Sequence, residues 1–172
     1  MQVYILKESN SDSRVAASPD TVKKMKDWGL NVVIQDNAGL NSNFSNEEYI
    51  KSGASISNEI TDISKSDLIL KINKPNEDEI ALMNEGSVLI ASLDPYNNSD
   101  TLNKLKDKGV TSFAMELMPR ITRAQSMDIL SSQSNLAGYK AVIDATYLFN
   151  KAMPMMMTAA GTIAPAKVMV FG

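Results

Sequence analysis

Between Met1 and Met115 the chain repeats one local pattern: an apolar, often β-branched run of four to six residues, then a capped amphipathic stretch. The runs are Val3–Leu6, Asn31–Gln35, Asp67–Ile72, Ser87–Ser92 and Val110–Met115. Between them, Ser18 stands as N-cap before Pro19 and opens a helix to about Trp28, which Gly29 closes. Ser45, with Glu48 three residues on, has the spacing of a capping box and opens a helix over Ser45–Ser52. Asp100–Lys108 reads as a helix ended by Gly109. Strands separated by helices of about ten residues cannot pair as hairpins. They require crossover connections, hence a mostly parallel sheet with helices on both faces. Right-handed crossovers make this an α/β, doubly wound, Rossmann-like lobe.

After Pro119 the texture changes. From Thr122 to about Asn150 there is no Pro and a single Gly, in a run rich in Ala, Ser, Leu and Met. Leu130, Ala137, Ala141, Ala145 and Leu148 recur at helical spacing. A helix of that length, ~40 Å at 1.5 Å per residue, exceeds what one small lobe needs internally and reads as a bridge to a second. Lys167–Phe171 then reads as a buried-type strand with Gly172 after it, the way a Rossmann βαβ unit begins. The expected organisation is therefore a first Rossmann-like lobe over 1–121 and a long interdomain helix over 122–150. A second lobe starts over 151–172, truncated before its glycine fingerprint.

Composition removes several chemistries. The chain has no histidine and no cysteine, so the commonest general acid/base, the commonest metal ligand and any thiolate are all missing. A zinc site is disfavoured, since carboxylates alone prefer harder ions. The net charge of −3 is not the clustered basic face that nucleic acid requires. The opening MQVYILKESNSDSR has too short an apolar run for a signal peptide. No stretch approaches the ~20 apolar residues of a membrane helix.

Polar side chains that could carry chemistry crowd into Glu116–Ser132, at a strand's carboxyl end and a helix's amino end, where open α/β sheets bind ligands. Arg120 and Arg123 offer charge and fork geometry for phosphate or carboxylate. Gln125 both donates and accepts, Arg120 and Asp128 are able to pair across the loop, and the free N–H groups at the helix start favour anions. The alternative is plain capping, with Asp128 and the serines serving the first turn and both arginines solvated. Composition leaves both open. A second group is Arg14, after the first strand, and Lys71 inside LILKINKP. A buried unpaired Lys is costly, so Lys71 either meets an anion or, more simply, snorkels from a sheet edge. Asp78-Glu79 and Glu47-Glu48 read as solvated helix faces, Asp94-Pro95 as a turn, and Met155–Met157 as flexible core filler.

At these residues the chain resembles a known family. ELMPRITRAQSMDILSSQSNLAGYKAVIDA and MTAAGTIAPAKVMVFG look like the NAD(H)-binding α-subunit (domain I) of proton-translocating NAD(P) transhydrogenases. RVAASPDTVKKM and DLILKINKP match the fold that this domain shares with alanine dehydrogenase. RITRAQSMD is specific to the transhydrogenases, and the resemblance covers essentially the whole chain.

The resemblance implies two Rossmann-like lobes, a homodimer, and docking on an NADP(H)-binding domain or β-subunit, with hydride passing directly between the two nicotinamides. A membrane domain couples that transfer to proton movement, so this subunit would be peripheral to the cytoplasmic side of the bacterial inner membrane. The implied site around the NAD(H) nicotinamide is Arg120, Gln125 and Asp128, with Ser131 beside them and Ile121, Thr122 and Arg123 completing the loop. Arg120 and Asp128 would position the carboxamide and ribose, and Gln125 would reach toward the partner nucleotide. Alanine dehydrogenases resemble the chain at Arg14 and Lys71, which there hold the keto acid. Their catalytic histidine lies near SLDPYNN, where this chain has Asp94 and Pro95, so the keto-acid reaction is not expected. Because the glycine fingerprint would follow Gly172, this chain is expected to be a fragment of a longer protein and to bind NAD(H) poorly alone.

Overall fold

A computed structural model of the chain describes residues 1–9 and 11–171. It divides into two compact units, Met1–Met127 and Asp128–Gly172.

The first unit is built on six parallel strands: β1 Gln2–Ile5, β2 Asn31–Gln35, β3 Ser55–Ser57, β4 Leu68–Leu70, β5 Val88–Ala91 and β6 Thr111–Ala114. Their order is β3-β2-β1-β4-β5-β6. The chain therefore winds outward from β1 to one edge, returns to the centre at β4 and winds out to the other. The sequence leads to five of these strands. The sixth, β3, has one apolar residue, Ile56, and exists through its register with β2, where Ile34 faces Ile56. Four helices connect the strands: α1 Pro19–Asp27, α2 Asn46–Lys51, α3 Glu77–Leu82 and α4 Ser99–Asp107.

Local capping chemistry sets the helix starts. The Ser18 side chain accepts from the Thr21 N–H, and Ser45 with Glu48 closes the expected capping box. A second box, which sequence reading misses, links Asn76 and Glu79 at α3. Alternation along β1 divides the core between the two faces of the sheet. Val3 and Ile5 join Val22 of α1 and Tyr49 of α2. Tyr4 and Leu6 join Ile80 of α3 and Leu105 of α4.

In the second unit, α5 spans Ile129–Leu148, 20 residues or ~30 Å. It begins at Ile129 rather than at Thr122, because Thr122–Met127 is a 3-10 turn and Asp128 caps the α-helix by accepting the Ser131 N–H. No residue of α5 is buried. A short hairpin follows, β7 Met156–Thr158 with β8 Gly161–Ile163. Met155, Met156 and Met157 are exposed, not core filler. Lys167–Phe171 is not a strand among the described residues: it has no neighbouring strand to satisfy its ladder, and a buried-type strand needs one. Gly172 lies outside the described residues. No helix among them is long and apolar enough to cross a membrane.

Candidate functional site

In an open α/β sheet the winding direction reverses at a crevice outside the strands' carboxyl ends, and ligands bind there. Here that point lies between β1 and β4, and the protein's own anion fills it. The loop after β1 (LKESNSDSR) has no glycine to admit a phosphate against the backbone. Instead the buried Glu8 carboxylate accepts the N–H of Ile72 at 2.6 Å, the N–H of Asn73 at 3.3 Å and the Asn73 side-chain amide at 3.0 Å. The Asn73 amide also donates to Asp12 at 2.7 Å, and Asp12 pairs with Arg14 at 2.6 Å. The Arg14 hydrogen bond holds the Asp12 carboxyl well below the usual carboxylate range and lifts the guanidinium in turn.

Lys71 follows β4, a strand flanked by β1 and β5, so it is not an edge residue. It does meet an anion, and that anion is Glu79. The Lys71 Nζ lies 2.5 Å and 2.7 Å from the two carboxylate oxygens, with both side chains buried. Glu79 therefore does not sit on a solvated face: α3 turns it inward, where it also accepts the Asn76 N–H at 2.8 Å. Among the described residues no buried side-chain polar atom lacks a partner.

The third polar group lies after β6. Glu116, in a 3-10 turn over Met115–Leu117, accepts the N–H of Leu93 at 2.8 Å and also that of Asp94. The turn expected at Asp94-Pro95 is present, with Asp94 at φ 45. Beside it lies an open cavity of about 680 Å³ lined by Asn73, Lys74, Asp94, Asn97, Asn98 and Glu116. Its polar groups are largely engaged with each other: Lys74 donates to Asn98, and Asn97 donates to both Asp94 carboxylate oxygens.

The loop Arg120–Gln125 differs. Ala124 alone is buried, while Arg120, Ile121, Thr122, Arg123 and Gln125 are exposed. No hydrogen bond or ion pair within the described residues engages the Arg120, Arg123 or Gln125 side chains. Asp128 and Ser131 belong to the second unit. There Asp128 takes the capping role, accepting both the N–H and the hydroxyl of Ser131, at 3.0 and 2.6 Å. Sequence reading misses Glu8, takes Glu79 for a solvated residue, and names Glu116 only as the start of the polar stretch, without its partners. The one local signal was at Glu79, three residues after Asn76 as a capping box requires. Among the described residues no cluster of three or more acidic, histidine or cysteine side chains could hold a metal.

Residues 4–137 match the family model described as alanine dehydrogenase/PNT, N-terminal domain. The chain belongs to that family. Within the alanine dehydrogenase/PNT family, an NAD(P) transhydrogenase alpha-subunit protein of Rhodospirillum rubrum is 46% identical, aligned over 100% of this chain and 47% of its own length. An alanine dehydrogenase of Staphylococcus aureus is 30% identical over 86% of this chain and 39% of its own. The crystal structure of transhydrogenase from Sinorhizobium meliloti superimposes with a TM-score of 0.92 at 50% identity, covering 96% of this chain and 50% of that one. An L-alanine dehydrogenase structure reaches 0.78 at 25% identity, covering 86% of this chain and 40% of that one. Sequence and structure both place this alanine dehydrogenase/PNT domain nearer these transhydrogenases than these alanine dehydrogenases. The chain spans about half the length of the two transhydrogenase relatives.

Proposed function

We propose that this chain is the front portion of the NAD(H)-binding subunit of a proton-translocating NAD(P) transhydrogenase, and that its 120–131 segment faces the nicotinamide. One contrast carries the reading. Around the carboxyl end of the sheet, Arg14, Lys71 and Asn73 are held by the protein's own Asp12, Glu79 and Glu8. On the loop after β6, Arg120, Arg123 and Gln125 are exposed with no internal partner among the described residues. Two guanidiniums and an amide left free in this way suit the carboxamide, ribose and phosphate groups of a dinucleotide.

In this proposal Arg120 and Asp128 position the nicotinamide carboxamide and ribose of NAD(H), with Ser131 bracing Asp128. Gln125 reaches toward the NADP(H) of a partner domain or β-subunit, and Ile121, Thr122 and Arg123 complete the loop. Bound NADH supplies the hydride. The chain's own residues contribute alignment, which direct hydride transfer requires in place of acid/base catalysis. That fits a chain without histidine or cysteine. Homodimerisation, coupling to proton movement and peripheral attachment to a membrane through partner subunits belong to the same proposal.

The test is a fluorescence titration of NADH against the complete gene product carrying this sequence, followed by hydride transfer to an NADP⁺ analogue with the partner domain present. Saturable NADH binding weakened by R120A supports the assignment. Wild-type NADH binding and transfer in both R120A and Q125A would sink it.

A further inference from the structure

We infer that Glu116 is a positioning residue for the nicotinamide loop: it ties the root of Arg120–Gln125 to the loop after β5, and cofactor affinity depends on that tie. The inference rests on the function proposed above and extends it to a residue outside the RITRAQSMD stretch.

Leu93–Asn98 is held by hydrogen bonds of its own. Leu93 is buried. Asp94 adopts φ 45, and its carbonyl accepts the N–H groups of Asn97 and Asn98. The Asn98 amide donates to the carbonyls of Leu93 and Asp94. With the carbonyls of Leu93 and Asp94 engaged in this way, their N–H groups remain, and both point to Glu116. One carboxylate oxygen thus bridges two successive amides across neighbouring strand ends, a charge-assisted arrangement stronger than two neutral bonds.

From Glu116 the chain has four residues to reach Arg120. The Met118 N–H returns to Met115, the Ile121 N–H to Pro119 and the Ala124 N–H to Ile121. The Ala124 side chain is buried. The loop is therefore pinned at its root by Glu116 and near its end by Ala124, and the side chains between them are left outward. Without Glu116 the root is held by the Met115–Met118 turn alone, and bound cofactor would have to order the loop itself.

E116L removes the acceptor, whereas E116Q keeps an amide oxygen able to receive the same two N–H groups. The measurement compares NADH dissociation constants of wild type, E116L, E116Q and R120A in the complete gene product. Thermal unfolding and hydrogen exchange of residues 93–94 and 117–125 are followed in parallel. E116L should weaken NADH binding about tenfold, the scale of one charged hydrogen-bond set, with faster exchange in the loop and an unfolding midpoint near wild type. E116Q should recover most of the affinity. Weakened binding in R120A with wild-type affinity in E116L overturns the inference and leaves the cofactor assignment standing. Wild-type affinity in both variants overturns the two together. Should E116L fail to fold, E116Q decides: wild-type exchange in the loop with affinity as weak as in R120A shows that the charge acts on the cofactor directly, and positioning is refuted.

Discussion

Lys71 Nζ lies within 2.7 Å of both carboxylate oxygens of Glu79, and neither side chain reaches solvent to any useful extent. The pair spans a strand end and a helix start: the Lys71 backbone N–H continues the sheet by donating to Ile90, and Glu79 doubles as the capping-box partner of Asn76. Since the cation is already neutralised, it is not available to a substrate carboxylate. With Asp12 on Arg14, both cations that the resemblance assigns to the keto acid in alanine dehydrogenases face an anion of the protein's own, and Lys71 does so in a buried pair. That supports the transhydrogenase side of the family on physical grounds.

Breaking the Lys71–Glu79 pair on one side should be severe. E79Q leaves a buried ammonium with weakened compensation, and loss of one partner of a buried pair costs about 3–5 kcal/mol. K71M with E79L removes both charges and should recover much of that loss. Urea unfolding of K71M, E79L and the double variant K71M/E79L, with E79Q alongside, checks this. Additive effects would show that the residues do not interact energetically.

Much of the first lobe was legible because its signals are local. Asn31–Gln35 is a strand with the bounds its β-branched run suggests, and Ser18-Pro19 and Ser45 with Glu48 set helix starts by chemistry within one turn. What escaped depends on distant partners. Ser55–Ser57 becomes a strand because β2 offers it a ladder, and Glu79 is buried where it meets Lys71 at the end of β4. The residues of Thr122–Met127 are helix-compatible, so the sequence alone suggests a helix start earlier than Ile129. The Asp128 cap overrides that propensity. Of the candidate site, the RITRAQ loop could be read from residue type and position. Its root at Glu116 could not, because that tie joins two loops 22 residues apart in the chain.

Tyr49 should govern a share of the alkaline behaviour. Its ring is buried, its hydroxyl donates to the Ala17 carbonyl at 2.8 Å, and burial pushes its pKa up to about 12. A phenol raised in the folded state contributes stability that is fully present below its unfolded value, about 10. That contribution is lost as pH rises through about 12. Y49F should lower stability at neutral pH by about 1 kcal/mol, from the carbonyl left unsatisfied. It should also flatten the fall in unfolding midpoint between those two pH values. An unchanged alkaline limb in Y49F would refute the assignment.

Gly39 should not tolerate alanine. Its φ of −91 is ordinary, so the objection is steric: a Cβ there would lie 2.6 Å from Tyr49 Cε2, 2.7 Å from its hydroxyl oxygen and 2.9 Å from Phe44 Cβ. The Tyr49 ring cannot retreat without losing its bond to Ala17. Overpacking of this kind costs about 1–3 kcal/mol. Placing alanine at Gly29, where a Cβ meets nothing within 4 Å, gives a contrast whose only cost is its backbone conformation at φ 80. In the double variant G39A/Y49A the share of the G39A penalty that falls on the Tyr49 ring should vanish when unfolding is measured, leaving the share from Phe44 Cβ.

The exposed loop should separate stability from function. Arg120 and Gln125 are exposed and contribute no internal hydrogen bond among the described residues. Surface truncations of this kind change stability by about 0.5 kcal/mol or less. R120A and Q125A should therefore unfold at the wild-type midpoint. Their functional losses should differ in kind. Arg120 is assigned to NAD(H) itself, so R120A should raise the NADH dissociation constant about tenfold or more, as expected for lost charged hydrogen bonds. Gln125 is assigned toward the partner nucleotide, so Q125A should leave NADH affinity near wild type and slow hydride transfer once the NADP(H)-binding partner is present. An interaction made only when both nucleotides are aligned lowers turnover rather than substrate binding. Titration with NADH alone, then single-turnover transfer in the complex, distinguishes the two. Equal loss of NADH affinity in both variants would show that Gln125 serves the first nucleotide and does not reach across to the second.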